Sequence, residues 1–402
     1  MQQTPILSPG ANVDNLEIVK LLGMGAYGQV YLGRDPLRQK NYAIKTLSKS
    51  HRSNNKSSVV SHRQRGFQRM EIGLHSRMSG HPHIIELDRV IREADHTHLV
   101  MEYAPEGDLF TAITERDLYA GNHPLIRRVF LQLLDAVDHC HSNGVYHRDL
   151  KSENVLTFDG GRTVKLADFG LATLDPVSTD YGCGSTFYFS PECQGDLARQ
   201  QKHRVGYATA PNDVWALGVI LINLAAGRNP WKQASLQDET FRAYLADPAF
   251  LLKILPISRE LNRILKRIFC IDPLRRIGLK ELKYRIQQCK FFTRTAEVDR
   301  WERLQDLASV NGKSLSSSLF DIPPYTRKPA RPSPTPTASS SAFSGEEKIC
   351  TTALKKKRYA APPADTLPPS PPATPRDRSQ QSHDAKDDLC MDDALLAVPL
   401  MA

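Results

Sequence analysis

One short stretch constrains this chain more than any other. Tyr146-His147-Arg148-Asp149-Leu150-Lys151-Ser152-Glu153-Asn154 places an Asp, a Lys and an Asn within six residues, and Asp168-Phe169-Gly170 begins fourteen residues after Asn154. Moving a phosphoryl group needs an acceptor for the hydroxyl proton, a cation beside the migrating group, and hard oxygen ligands for a magnesium ion. A lone His-Arg-Asp would read as an ordinary loop with a salt bridge. All the parts in order are a specific signal.

A second motif lies upstream. Gly23, Gly25 and Gly28 form a G-x-G-x-x-G set between Leu22 and Val30. Glycine lets a backbone approach phosphate oxygens without a side-chain clash, but a dinucleotide-binding turn shares the pattern. Here the set lies between two predicted strands. No acidic residue ends a second strand about 20 residues on, as a dinucleotide site requires. With the Asp149 and Asp168 motifs, these residues resemble the eukaryotic protein kinases. The resemblance covers residues 16–292, roughly two thirds of the chain. Periodicity predicts a strand-rich front, then helices: Phe67, Met70, Leu74 and Met78 recur at helical spacing, and one predicted helix carries Ile126, Val129, Phe130, Leu133, Leu134 and Val137 on one face. The resemblance implies an α+β, bilobal fold, with a β-rich N-lobe over 16–104 and a larger helical C-lobe over 105–293.

The resemblance also implies roles. ATP would lie under Leu22, Gly23, Gly25, Gly28 and Val30, with Tyr27 at the loop tip and Ala43 beside Lys45. Lys45 would hold the α- and β-phosphates. Glu71 would orient Lys45; its rival, Glu86, falls in a predicted strand. Met101 would be the gatekeeper, with Glu102, Tyr103 and Ala104 as the hinge that reads adenine through backbone groups. Asp108 would face the ribose or a substrate cation. Asp149 would be the catalytic base and Lys151 the neutralising cation. Asn154 and Asp168 would bind Mg2+. Asp149-x-Lys151 resembles the serine/threonine class, so the expected substrates are protein Ser and Thr hydroxyls.

Two departures stand out. Lys45 and Glu71 are 26 residues apart, longer than most kinases allow. The extra length, 48–66, is predicted as an inserted loop, either solvated or a docking point for regulators. His75 stands where an apolar contact to Phe169 is usual, and is expected to be a buried neutral imidazole or, less simply, a pH-sensitive group.

The segment from Asp168 to Glu192 ends in Ser190-Pro191-Glu192. Ser185 occupies the position where serine/threonine kinases place a hydroxyl beside the catalytic Asp. Arg148 could pair with a phosphate in this segment; Ser178, Thr179 and Tyr181 are candidates, with Tyr181 in the usual register. Glu192 is expected to pair with Arg276, and Asp213 and Trp215 to anchor the catalytic loop. The run 182–194 and Tyr207–Trp215 resemble fungal kinases linked to nutrient response and repression of meiosis. Asp108 and Glu153 could attract arginine upstream of the target hydroxyl.

The 402 residues carry a formal charge of +9 with the basic residues spread out, so direct nucleic-acid binding is not expected. No apolar run suits a membrane helix and no secretory signal is expected. Seven scattered cysteines without a C-x-x-C pair predict reduced thiols. Residues 1–15 read as an unstructured lead, 294–321 as a transition with one helix near Trp301, and 322–402 as a disordered Pro/Ser/Thr-rich tail that cannot offset its ordering entropy. The tail holds Ser-Pro and Thr-Pro steps at Ser333, Thr335, Ser370 and Thr374. Lys355, Lys356, Lys357 and Arg358 are equally a nuclear import signal or a solvated charge run, so a cytoplasmic or nuclear location is expected. The acidic-apolar stretch 384–396 is a partner-binding segment or plain disorder. A scaffold without activity would have lost Lys45, Asp149 or Asp168, and none is lost. A small-molecule phosphotransferase would not need the long segment before Glu192.

Overall fold

The computed structural model describes residues 5–25, 28–49, 58–195 and 206–310. Tyr27, the 50–57 part of the expected insertion, and the tail with its phosphosite, import and partner candidates lie outside the described residues.

The front of the chain forms a six-stranded antiparallel sheet in the order β1-β2-β3-β4-β6-β5. Its strands are β1 (Asn12–Val13), β2 (Leu16–Gly25), β3 (Gly28–Asp35), β4 (Lys40–Ser48), β5 (Leu87–Arg92) and β6 (His96–Glu102). From Tyr42 to Leu47 every residue of β4 is buried, the pattern of a strand covered on both faces. Register does the positioning. Val30 lies opposite Lys45, Lys45 opposite Leu99, and Ala43 opposite Met101. The turn from β2 to β3 closes at Gly25 and Gly28. A Cβ on Gly28 would sit 2.6 Å from the Thr46 carbonyl oxygen, so only glycine lets this hairpin lie so close over β4.

Helix α1 (Ser58–Met78) crosses between β4 and β5 and takes up part of the stretch expected as an inserted loop. Its buried stripe is Glu71, Leu74, His75 and Met78, while Phe67 and Met70 are exposed. The apolar spacing located the helix and its inward Leu74 and Met78, but put Phe67 and Met70 on the same face, where the polar Glu71 and His75 turn inward instead and hold partners.

The C-lobe follows. Helix α2 (Leu109–Thr114) is capped by Asp108, which accepts the Thr111 N–H at 2.7 Å. Helix α3 (His123–Ser142) buries Ile126, Val129, Phe130, Leu133, Leu134 and Val137, the predicted face. The hairpin β7 (Val155–Phe158) and β8 (Thr163–Leu166) comes next. The short pair β9 (Val177–Ser178) and β10 (Tyr207–Ala208) ties the segment after Asp168 to the start of α5 (Thr209–Ala226), and helix α4 (Pro191–Gln194) lies between. Among the described residues α5 is the one helix long and apolar enough to cross a membrane, a property the sequence had not been expected to show. It is buried almost throughout in the C-lobe core, with the Trp215 ring 4.9 Å from Phe269 and 5.7 Å from Trp231. That burial is the pattern of a core helix.

The lead expected to be unstructured over 1–15 is ordered in its described part. Leu7 and Ala11 pack against a cluster holding Val13, Leu16, Ile18, Tyr31 and Tyr42. Ile6 donates its N–H to Gln29 Oε1 at 2.7 Å and to the Tyr31 hydroxyl at 2.9 Å. Gln29 and Tyr31 are buried, and buried polar groups need partners. At the other end, helix 296–310 packs back on the C-lobe: the Trp301 ring stands 5.1 Å from Phe291, and Glu302 accepts the Arg259 N–H at 2.9 Å. The five described cysteines are free thiols.

Candidate active site

The cleft side of β4 carries Lys45, whose Nζ lies 2.5 Å from Glu71 Oε1 and 2.8 Å from Asp168 Oδ1. Residues 26 and 123 positions apart in sequence thus converge on one ammonium. Burial alone would lower the Lys45 pKa; the Asp168 and Glu71 carboxylates reverse this and raise it above the usual lysine value. Burial would push Asp168 up, but Lys45 and the Gly170 N–H hold it below the ordinary carboxylate range. For Glu71 burial wins over Lys45, and its pKa lies above the usual value. Glu86, the alternative to Glu71, instead accepts the Gly80 N–H at 2.8 Å.

Asp168 has φ +64° and Arg148 φ +63°, left-handed conformations that cost a non-glycine residue energy unless the surroundings hold them. They are held. Asp213, at 0% exposure, accepts the backbone N–H groups of His147 and Arg148, each at 2.9 Å. The Phe169 ring is packed between His75 and His147, at 5.1 and 5.2 Å. His75 is 1% exposed, and its Nε2 lies 2.8 Å from the Ile85 carbonyl oxygen. Burial pushes its pKa below the usual histidine value, and the Ile85 contact only partly opposes this.

Asp149 sits at the centre of a second constellation. Ser185 donates to its Oδ1 at 2.8 Å, and Lys151 donates to its Oδ2 at 2.6 Å and to Ser185 Oγ at 3.0 Å. Asn154 donates its amide to the Asp149 backbone oxygen at 2.9 Å and to Oδ2 at 3.1 Å. The Asn154 amide nitrogen is thereby committed, and Oδ1 is the atom a cation would meet. A Cβ on Gly184 (φ +109°) would lie 2.6 Å from the Arg148 carbonyl oxygen, so glycine allows the segment to press against the catalytic loop here.

The positions expected to form a hinge lie at the end of β6 and directly after it. Met101 faces Ala43 across the sheet, and the Glu102 side chain turns to Lys165 on β8, 2.8 Å from Nζ, leaving the backbone as its contribution to the cleft. Leu22 and Gly23 lie exposed on β2, and Val30 on β3 adjoins Lys45. Ala104 is buried and accepts the Gly107 N–H; Tyr103 lies between it and Glu102. Asp108 serves as the α2 cap.

Glu192 and Arg276 form a two-bond fork, 2.5 and 3.0 Å, and Arg276 also stacks on Trp215 at 4.9 Å. Sequence reasoning missed one charged contact entirely. The Arg148 guanidinium is met by Asp180 Oδ2 at 3.1 Å. The signal was present, a carboxylate one residue before Tyr181, but the pairing depends on how the segment folds back.

The protein kinase domain family model matches residues 16–286. A negative regulator of sexual conjugation and meiosis from Schizosaccharomyces pombe is 48% identical over 310 residues, which cover 73% of this chain and 64% of that relative. The chain thus spans less than two thirds of that relative's length. Serine/threonine-protein kinases VHS1 and SKS1 of Saccharomyces cerevisiae are 31% and 33% identical, each over 72% of this chain and over 73% and 68% of their own lengths. Cleft and comparisons agree: the chain belongs to the protein kinase family.

Proposed function

We propose that this protein transfers the γ-phosphoryl group of ATP to Ser and Thr hydroxyls of other proteins. The observation that carries the reading is Ser185 lodged between Asp149 and Lys151, a protein hydroxyl already hydrogen-bonded to both groups. Asp149 accepts the proton of the incoming hydroxyl as its oxygen bonds to the γ-phosphorus and the bond to the β-phosphate oxygen breaks. Lys151 offsets charge on the moving group. Lys45, fixed by Glu71, binds the α- and β-phosphates under the Gly23–Gly25–Gly28 turn, with adenine against Leu22, Val30, Ala43 and the backbone of 102–104.

Asn154 Oδ1 and Asp168 are hard oxygen donors that fit Mg2+, which binds through one or two protein oxygens with phosphate oxygens and water completing its shell. Among the described residues no three His, Cys, Asp or Glu side chains converge as a metal cage, consistent with a cation that arrives with the nucleotide. When bound it neutralises phosphate charge.

One fungal relative is named for negative regulation of sexual conjugation and meiosis, which supports a place in meiosis signalling; a link to nutrient response rests on the resemblance of the 182–194 and 207–215 runs alone. Asp108 and Glu153 favour arginine upstream of the target hydroxyl. Regulators would dock on 48–66 or on the tail. A cytoplasmic or nuclear location, with 355–358 as an import signal, completes the reading.

The test is γ-labelled ATP with an arrayed Ser, Thr and Tyr peptide library. Label should enter Ser and Thr peptides only, and Asp149→Asn should lower kcat at least about 10²-fold. Lys45→Met or Asp168→Asn should abolish transfer with the fold intact. Wild-type transfer by either would overturn the assignment.

A further inference from the structure

The Arg148 guanidinium is placed deep in the protein. Its side chain is 8% exposed, while its backbone is pinned by Asp213. Nε donates to the Leu171 carbonyl at 2.7 Å, just past Gly170; Nη1 donates to Ser178 Oγ at 3.0 Å and to Asp180 Oδ2 at 3.1 Å. A cation buried this far needs a counter-charge. Among the described residues Asp180 is the one carboxylate within 4.0 Å of it.

The backbone of Asp180 is itself set in place, while its carboxylate reaches Arg148 from a position 60% exposed. Its N–H donates to Ser178 Oγ at 3.1 Å, so one buried hydroxyl accepts from both the arginine and the backbone of its partner. Ser178 lies on β9, paired with Tyr207 of β10. The next residue, Tyr181, is used as an anchor. Its hydroxyl accepts the Gly206 N–H at 2.9 Å, its ring lies 5.8 Å from Tyr207, and a Cβ on Gly195 would touch its side chain at 2.9 Å. The residue in the register expected for a phosphosite is committed to packing, and the residue before it supplies a permanent negative charge.

We propose that Asp180 is a positioning residue: a built-in counter-charge that, through Arg148, holds the 168–192 segment and Asp149 in the transfer-ready arrangement without any phosphate on the segment. This rests on reading the cleft as a phosphoryl-transfer site. The Arg148 contacts to Leu171 and Asp180 connect the start of the segment to its middle, and Gly184 and Ser185 then carry the segment onto the catalytic loop.

The experiment uses the full chain, phosphatase-treated and shown by mass spectrometry to carry no phosphate at Ser178, Thr179 or Tyr181. That material should transfer phosphate to a Ser peptide at the untreated rate. Asp180→Asn should lower kcat about tenfold, as expected for loss of one charge-assisted hydrogen bond, with KM for ATP unchanged. Asp180→Glu should regain most of the loss. Thr179→Ala, at an exposed position outside these contacts, should match wild type. A merely structural surface pair would shift thermal stability alone and leave kcat per folded molecule untouched, which overturns the proposal. So does treated wild type that stays inactive until the segment is phosphorylated. If no preparation exceeds a Lys45→Met control, the reading of the cleft has failed instead.

Discussion

At the scale of single residues, the most exacting position is His75. Its imidazole lies against Phe169, beside the Lys45 charge, with Nε2 on the Ile85 carbonyl. Burial depresses its pKa in the folded protein, while in the unfolded chain it returns to about 6.5. The unfolded state therefore binds more protons below that value, and stability falls as pH drops through it. His98 and His123, the latter lowered to about 4, are depressed by burial too and act in the same direction. Thermal midpoints at pH 7.5 and 5.5 should show wild type losing stability on acidification, and His75→Leu losing visibly less. Equal losses would mean that the proton on His75 is tolerated. The convergence of Asp149, Lys151 and Asn154 was legible because they lie within six residues of one another. The Arg148 partner was not, because nothing local ties position 148 to position 180.

At the scale of elements, side chains that stitch loops to helices decide where the segment ends. Arg276 is 1% exposed at its side chain and serves Glu192, the Pro211 and Cys270 carbonyls and the Trp215 face together. Removing it strands Glu192 at 15% exposure without its counter-charge. Arg276→Ala should cost about 3–5 kcal/mol in denaturant unfolding, the range for breaking a buried pair from one side. Arg276→Lys keeps the charge but loses the planar fork, and should fall between. Because the pair touches no reacting group, kcat per folded molecule should survive in the lysine variant; a collapse of kcat at full stability would assign it a chemical role. The pair was readable in advance from the motifs at 190–192 and 272–276. The inner face of α1 was legible at Glu71 and His75 from the resemblance, but not from apolar spacing alone. Hydrophobic spacing cannot anticipate that Glu71 and His75 turn inward because Lys45 and the Ile85 carbonyl satisfy them there, leaving Phe67 and Met70 outside.

At the scale of the whole molecule, the front end of the folded part is where composition misled. A short polar stretch with Pro5 and Gly10 reads as an unstructured lead, yet β3 presents the Tyr31 hydroxyl and the Gln29 amide on the sheet's outer side, and residues 6 and 7 cover them. Gln29 follows Gly28 directly, so the cover lies one residue from the turn proposed to hold phosphates. Deleting residues 1–10 uncovers both polar groups and the cluster under Leu7. Water can replace some of the lost hydrogen bonds, so the expected loss is modest, about 1–3 kcal/mol in unfolding free energy. The functional consequence should be larger for nucleotide than for peptide: looser support for β3 should raise KM for ATP and leave KM for a Ser peptide unchanged. Urea unfolding followed by two substrate titrations separates these effects. A truncated chain with wild-type stability and wild-type KM for ATP would show that the lead merely lies on the sheet, and that β3 alone fixes the turn.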